Sequence, residues 1–123
     1  MDTNALSAFA NGDERLREMV ELADEVAVPV IVLGEYRYGI RQSRSRKRYE
    51  EWLAELIANC RVLLVDEETA YRYAEVRTEL KRLGKPIPGN DVWIAALALQ
   101  HVLPLISRDG HFDIVPGLRR VRW

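Results

Sequence analysis

The chain lacks the features that define several classes of protein. It has one cysteine, Cys60, which excludes an internal disulfide framework and fits a buried thiol in a reducing compartment. Its longest apolar run, Val26 to Leu33, contains Pro29 and is too short to cross a bilayer. No basic segment followed by an apolar stretch opens the sequence, so we predict no signal peptide. These absences predict a cytoplasmic protein that does not insert into membranes.

An excess of charge of one sign is also missing. The 18 lysines and arginines nearly balance the 19 aspartates and glutamates, which gives a net charge of −1. The field of the whole molecule therefore does not favour nucleic acid, and any such binding must come from local patches. A run of cations along a sequence most often forms a solvated face, and contact with a phosphate backbone is the alternative. The densest patch consists of Arg41, Arg44, Arg46, Lys47 and Arg48.

The apolar residues that are present recur in two periods. Helical spacing occurs over 3–10, 15–24, 30–38, 45–59, 66–83 and 90–101, and short β runs occur at 26–28, 62–65, 104–106 and 121–123. Asp66 and Asn90 are predicted to cap helices, and Gly84 is predicted to end one. Strands alternating with helices predict an α/β fold with a mostly parallel central sheet. Without linkers or repeats, we predict a single domain over residues 1–123.

Four acidic residues stand near predicted junctions between a strand and a helix or loop: Asp2, Glu35, Asp91 and Asp109. In an open parallel sheet, the carboxyl ends of the strands gather along one edge. Carboxylates gathered there repel each other, and a divalent cation relieves that repulsion. An all-oxygen site suits Mg²⁺ or Mn²⁺. The sequence therefore predicts a metal site at this edge.

Each of these acids also has a structural interpretation when it is taken alone. Asp2 and Asp91 fit helix N-termini, and Asp109 fits a turn before a glycine. Glu35 differs because it stands in an apolar stretch, where an unpaired carboxylate is unfavourable. The two histidines, His101 and His111, lack the spacing of metal ligands, and we predict that both are polar surface or loop residues.

The sequence around the acids forms four motifs in a fixed order. They are Asp2-Thr3-Asn4, Glu35-Tyr36-Arg37-Tyr38-Gly39-Ile40, Asn90-Asp91-Val92-Trp93-Ile94-Ala95-Ala96 and Ser107-Arg108-Asp109-Gly110-His111-Phe112, followed by Pro116-Gly117-Leu118. Together they resemble PIN-domain ribonucleases, and most of all the VapC-type toxins of bacterial and archaeal toxin–antitoxin pairs. The resemblance covers nearly the whole chain. It implies a three-layer α/β/α fold and a metal-dependent ribonuclease.

The resemblance also implies that the residues matching Asp2, Glu35, Asp91 and Asp109 form the active site. Our hypothesis is that Asp2, Asp91 and Asp109 hold Mg²⁺ or Mn²⁺ directly. Glu35 would act through a water molecule or orient the nucleophile. Metal ions can activate water and neutralise charge at a phosphodiester, which suits this chemistry. Two small polar residues would support the carboxylates or the scissile phosphate: Asn4 and Ser107.

The beginning of the chain departs from the resemblance. In PIN domains several apolar residues precede the first aspartate and form the central strand, whereas here only Met1 precedes Asp2. A truncated first strand would leave neighbouring strands with unpaired backbone groups. We therefore expect that upstream residues would raise stability, and a domain that tolerates the shortened strand is the alternative.

The resemblance implies three partners: an RNA substrate, a second copy of the chain and a small antitoxin. An antitoxin arginine would contact the carboxylates in a bidentate manner. The predicted antitoxin groove is an apolar surface on the first two helices, formed by Leu6, Phe9, Leu16 and Met19. For Leu6 and Phe9, packing in the core is the alternative.

Three other functions compete with a ribonuclease toxin. The main alternative is a PIN-like module that binds RNA or protein and is catalytically weak or inactive. A structure-specific DNA nuclease is disfavoured because the chain has no room for a DNA-clamping insertion. A receiver-like or phosphatase domain is disfavoured because no later strand end offers a suitable lysine.

Overall fold

Six helices and short parallel strands form an α/β fold, as the alternating sequence pattern predicts. A computed structural model describes all 123 residues. The chain divides into two units, which are described in turn: unit 1 comprises Met1–Leu63 with Trp123, and unit 2 comprises Leu64–Arg122. None of the helices combines the length and the apolar character needed to cross a membrane.

Unit 1 contains four helices and one pair of strands. They are α1 (Thr3–Ala10), α2 (Glu14–Leu22), β1 (Ala27–Pro29), α3 (Val30–Arg41), α4 (Arg46–Asn59) and β2 (Arg61–Leu63). The two strands pair in parallel, with Val28 opposite Val62. Helix α3 starts directly after Pro29, whose missing N–H is not needed at a helix start. The core of this unit is fully buried at Leu6, Val28, Val32 and Leu53.

Unit 2 contains two long helices, a 3₁₀ helix and a second strand pair. They are α5 (Glu67–Arg82), α6 (Gly89–Gln100), β3 (Leu105–Ile106), the 3₁₀ helix (Gly110–Ile114) and β4 (Arg120–Val121). Strands β3 and β4 pair in parallel. Helices α5 and α6 pack against each other, and Tyr73 stacks on Trp93 with ring centroids 4.0 Å apart. The turn of α6 from Ile94 to Leu97 is fully buried on all sides, which places the core of unit 2 around this helix.

Three helices end in the same hydrogen-bonded turn. After α5, the N–H of Gly84 donates to Lys81 O and the N–H of Lys85 donates to Leu80 O, both at 3.0 Å. Gly84 has a φ of 68°, which glycine adopts readily, so its predicted role as terminator is confirmed. Gly12 takes the same position after α1, with a φ of 84°. After α6, the position is taken by Val102, with a φ of 54°.

Several local predictions are wrong. Asn90 does not cap α6, because Pro88 holds the cap position and Asn90 is the second residue of the helix. Leu6 and Leu16 are fully buried, so they do not line an exposed antitoxin groove, and the core alternative given for Leu6 is confirmed. Cys60 is half-buried rather than buried, and burial raises the pKa of its thiol.

The chain enters α1 from a buried position. The side chain of Met1 is buried, and its ammonium donates to the carbonyl of Ala27 in β1 at 3.2 Å. Burial lowers the pKa of this ammonium to about 6. Asp2, the residue directly before α1, is the N-cap of that helix.

Candidate metal centre and active-site residues

Helix α6 places Asp91 in its first turn. The helix begins after Pro88, which offers no side-chain cap, and the N–H of Asp91 donates to Pro88 O at 3.0 Å. A carboxylate is favoured in this turn because the exposed N–H groups of a helix start carry partial positive charge. Asp91 is half-buried, and its predicted place at the N-terminus of this helix is confirmed.

Asp109 lies between β3 and the 3₁₀ helix, where it is the N-cap. Its Oδ1 accepts from the backbone N–H of His111 at 3.2 Å, and its own N–H donates to Ser107 Oγ at 3.0 Å. Ser107 is fully buried. The two bonds fix the turn from both sides, so the direction of the Asp109 carboxylate is set by its local fold.

Arg120 on β4 contacts residues on both sides of the same turn. Its guanidinium makes a bidentate contact with Asp113, at 2.7 and 2.8 Å, and donates to Ser107 O at 3.0 Å. The hydrogen bonds from Arg120 hold the pKa of Asp113 below its usual range. Arg120 therefore stabilises the turn rather than presenting a free cation.

His111 lies between the two aspartates. Its Nε2 is 3.0 Å from Asp91 Oδ2, and its Nδ1 is 3.0 Å from Asp109 Oδ1. Nε2 is buried and makes no hydrogen bond. One ligand atom from each of the three residues lies within 4.8 Å of the others. We call Asp91, Asp109 and His111 the unit 2 cluster.

The prediction that His111 is an ordinary surface or loop residue is wrong. The signal that could have identified it is its position two residues after Asp109, with Gly110 between them. A 3₁₀ helix that starts at Gly110 turns the third residue of this Asp-Gly-His segment back toward the first. Two carboxylates and one imidazole within this distance fit a divalent cation, because they can supply oxygen and nitrogen ligands together.

In unit 1 the other two predicted acids stand near Thr3. Asp2 is buried, and its Oδ1 accepts from the N–H of Ala5 at 2.9 Å as the N-cap of α1. Glu35 is half-buried on α3 and accepts from Thr3 Oγ1 at 2.7 Å. Asn4 is exposed on the first turn of α1. The Asp-Thr-Asn motif therefore caps its helix with the first residue and orients Glu35 with the second.

The predicted cationic patch lies where α3 ends and α4 begins. All five of its members are exposed, and two of them contact a neighbouring side chain. Arg46 is 3.0 Å from Glu50, and the guanidinium of Arg48 lies 5.1 Å from the Tyr49 ring centroid. Three cations in the first turn of α4 oppose the helix dipole, which favours acidic groups there. The patch therefore does not stabilise its own helix through the dipole.

Comparisons with known proteins agree on one family. The PIN domain family model matches residues 1–118. Ribonuclease VapC5 of Mycobacterium tuberculosis is 32% identical over 123 residues, covering 98% of this chain and 90% of that protein. The tRNA(fMet)-specific endonuclease VapC of Salmonella typhimurium is 29% identical and covers 100% and 96%.

Solved structures give the same answer at the level of the fold. The crystal structure of VapBC2 from Rickettsia felis, bound to a DNA fragment from its promoter, superposes with a TM-score of 0.92 at 25% identity. The match covers 99% of this chain and 96% of that one. The chain thus belongs to the PIN-domain family, as a VapC-type ribonuclease toxin of the VapBC toxin–antitoxin systems.

Proposed function

We propose that this chain hydrolyses RNA phosphodiester bonds as a metal-dependent endoribonuclease, with Asp2, Glu35, Asp91 and Asp109 as its catalytic carboxylates. The observation that carries the proposal is the unit 2 cluster, in which two carboxylates and an imidazole converge within 4.8 Å. Two carboxylates this close repel each other, and a bound divalent cation would relieve that repulsion.

We assign Mg²⁺ or Mn²⁺ to the site. Asp91 and Asp109 would hold the ion through oxygen atoms, which both cations prefer, and His111 would supply a nitrogen, which Mn²⁺ accepts more readily. When bound, such an ion polarises the scissile phosphate and lowers the pKa of a water molecule. Asp2 would be the third carboxylate ligand, after Asp91 and Asp109, and its cap bond to Ala5 fixes the direction of its carboxylate.

Glu35 would orient the attacking water. Its Oε1 accepts the Thr3 hydroxyl, so one carboxylate oxygen is held in place on α3. A fixed carboxylate can accept a proton from water or hold that water in line with phosphorus. Two small polar residues would support the carboxylates or the scissile phosphate. They are Asn4, which is exposed beside Thr3, and Ser107, which accepts from the N–H of Asp109.

The decisive experiment is cleavage of single-stranded RNA by the purified chain with Mg²⁺ or Mn²⁺, with EDTA, and after Asp91→Asn. We expect EDTA to abolish cleavage and Asp91→Asn to reduce it by about 100-fold or more, because a ligand is lost at constant shape. The matched control is Asp24→Asn, an exposed aspartate in a bend. RNA binding without metal-dependent cleavage by the unmutated chain would instead identify a binding module.

We further propose two protein partners, a small antitoxin and a second copy of this chain. The solved relatives from Rickettsia felis and Salmonella typhimurium are described as VapBC assemblies, which supports the first. An antitoxin arginine would contact the carboxylate cluster in a bidentate manner. Addition of the purified antitoxin encoded beside this chain should stop RNA cleavage, and sedimentation should give the mass of a dimer.

A further inference from the structure

A cavity in unit 2 lies outside the metal cluster and has no part in the chemistry proposed above. It has a volume of about 410 Å³, which is within the size range of small-molecule sites. It lies between the second half of α5 and the start of α6, beside the loop that joins the two helices. Its lining includes two cations, Arg77 and Lys81, and no acidic residue.

The other lining residues are apolar. Leu80 on α5 and Val92 on α6 are only 1% and 2% exposed, so they lie on the inner side of the cavity. Pro86 is exposed and Ile87 is half-buried, so the loop supplies the accessible apolar surface. Gly89 opens α6 at the same cavity, and a Cβ added there would meet no atom within 4 Å. The cavity therefore offers an apolar contact surface beside two cations.

The two cations of the cavity are the unpaired cations of α5. This helix carries four basic residues, and two of them, Arg72 and Arg82, contact glutamates of the same helix. Arg77 and Lys81 are exposed and make no such ion pair. Because they are one turn apart, both project from the same side of α5. Two unpaired cations without a neighbouring acid in the lining favour an anionic ligand.

Arg77 is held in position by the protein itself. Its guanidinium lies 5.8 Å from the centroid of the Tyr73 ring and donates to the Tyr73 hydroxyl. Tyr73 in turn stacks on Trp93 of α6. These contacts leave further N–H groups of the guanidinium for a ligand. A guanidinium that is already oriented loses less conformational freedom on binding, and its forked donors match the oxygens of a phosphate.

The cavity and the unit 2 cluster lie at the same end of α6. Gly89 and Val92 are three residues apart and share one face of the first turn, whereas Asp91 projects from another face of that turn. An α-helix with its side chains is about 10 Å across, so RNA bound at the cluster would reach the cavity within a few nucleotides. A strand on this path passes both cations, which favours phosphate over a protein carboxylate as their partner.

We propose that this cavity binds one unpaired nucleotide of the RNA substrate near the cleaved bond, with its phosphate between Arg77 and Lys81 and its base against Pro86 and Ile87. The inference rests on the proposed function, because the scissile phosphate must lie at the unit 2 cluster for the strand to pass the cavity. Unpaired bases turn away from the strand and pack on protein side chains, including arginine. Phosphate contacts hold the strand in register without reading its sequence.

The test replaces each cation by a neutral side chain, in Arg77→Gln and Lys81→Gln. Binding of a short, fluorescein-labelled, single-stranded RNA of mixed sequence is measured by fluorescence anisotropy with Mg²⁺. All proteins carry Asp109→Asn, so that the probe is not cut and the start of α6 is unchanged. We expect the Kd to rise roughly tenfold in each variant, because a charge-assisted contact with phosphate is lost. The matched control is Arg82→Gln, which removes the same charge from the same helix and should leave the Kd nearly unchanged.

The salt dependence separates the phosphate from the base. In a KCl series with EDTA, the slope of log K against log salt should become shallower by about 0.7 in Arg77→Gln and in Lys81→Gln, the value for one phosphate of a single strand. Gly89→Leu adds a side chain to the open space at the cavity wall, so it should weaken RNA binding without changing the slope. Its control is Thr78→Leu, at an exposed position of α5 outside the cavity.

Unchanged RNA affinity in Arg77→Gln or Lys81→Gln would overturn the proposal, and so would an equal loss in Arg82→Gln. Unchanged affinity in Gly89→Leu would remove the base from the cavity. A weaker antitoxin complex or a lost dimer, with RNA affinity intact, would assign the cavity to a protein partner instead. Cleavage by the unmutated chain is measured in parallel. RNA binding that depends on both cations without any cleavage would uphold this inference and refute the ribonuclease proposal.

Discussion

At the scale of single residues, the unit 2 cluster depends on a side chain whose role the sequence did not reveal. The carboxylates Asp91 and Asp109 are recognisable from their motifs, because each stands at a helix start. His111 is not, because its approach to both depends on the tight turn at Gly110. Histidine is common in loops, and only coordinates show that its two ring nitrogens each face a carboxylate.

His111→Ala should therefore weaken metal binding. We expect the affinity for Mn²⁺, measured by isothermal titration calorimetry, to fall roughly 10-fold or more, because one of three converging ligand atoms is lost. His101→Ala, at the end of α6, is the control and should bind Mn²⁺ like the parent. Equal affinities for all three proteins would show that His111 is not a ligand.

At the scale of elements, the shared helix ending described above has one strained member. A valine in the left-handed region is disfavoured, because its branched Cβ crowds the backbone. Gly12 and Gly84 take the same position after α1 and α5 without that strain. Val102 is also 88% exposed, so its side chain gains little from packing.

Val102→Gly should therefore stabilise the protein. We expect the free energy of unfolding to rise by about 1 kcal/mol in urea denaturation, since relief of strain exceeds the added freedom of the unfolded chain. The reciprocal variant Gly84→Val should lower it by a similar or larger amount. A loss of stability in Val102→Gly would mean that the valine packs in a way its exposure does not indicate.

The sequence predicted most elements because their signals are local. Helix α1 has the predicted bounds, and Asp66 caps α5 by accepting from Thr69 as expected. Asn90 failed because a proline two residues earlier starts the helix first, with a fixed φ that suits that place. The cavity between α5 and α6 could not be predicted, since it depends on how the two helices and their loop pack.

At the scale of the whole molecule, stability should depend on pH near neutrality. Burial lowers the pKa of the Met1 ammonium from 8.0 to about 6 in the folded state. Between these values the unfolded chain binds more protons than the folded protein, so the free energy of unfolding rises as the pH goes from 6 to 8. This stability is lost as the pH falls back through the same range. Two pKa units correspond to about 2 to 3 kcal/mol.

Urea unfolding at intervals from pH 5.5 to 8.5 measures this dependence (roughly the window set by the two pKa values). An NMR titration of the Met1 amine assigns it, because the histidines report separately. Lowered pKa values of Asp66 and Asp113 act in a different window, where their stabilising contribution is lost as pH falls toward the acid range. A flat profile across neutrality, with an amine that titrates near 8, would contradict the prediction.

The stacked rings of Tyr73 and Trp93 give unit 2 an optical signal of its own. Trp52 and Trp123 belong to unit 1, whereas Trp93 belongs to unit 2. Fluorescence from a protein whose only tryptophan is Trp93 would report on unit 2, and one that keeps only Trp52 would report on unit 1. We propose that residues 1–123 are a single cooperative domain, in which case the two emission curves coincide during unfolding. Separate curves would show that unit 2 unfolds independently of unit 1, and tryptophan emission alone would distinguish the two transitions.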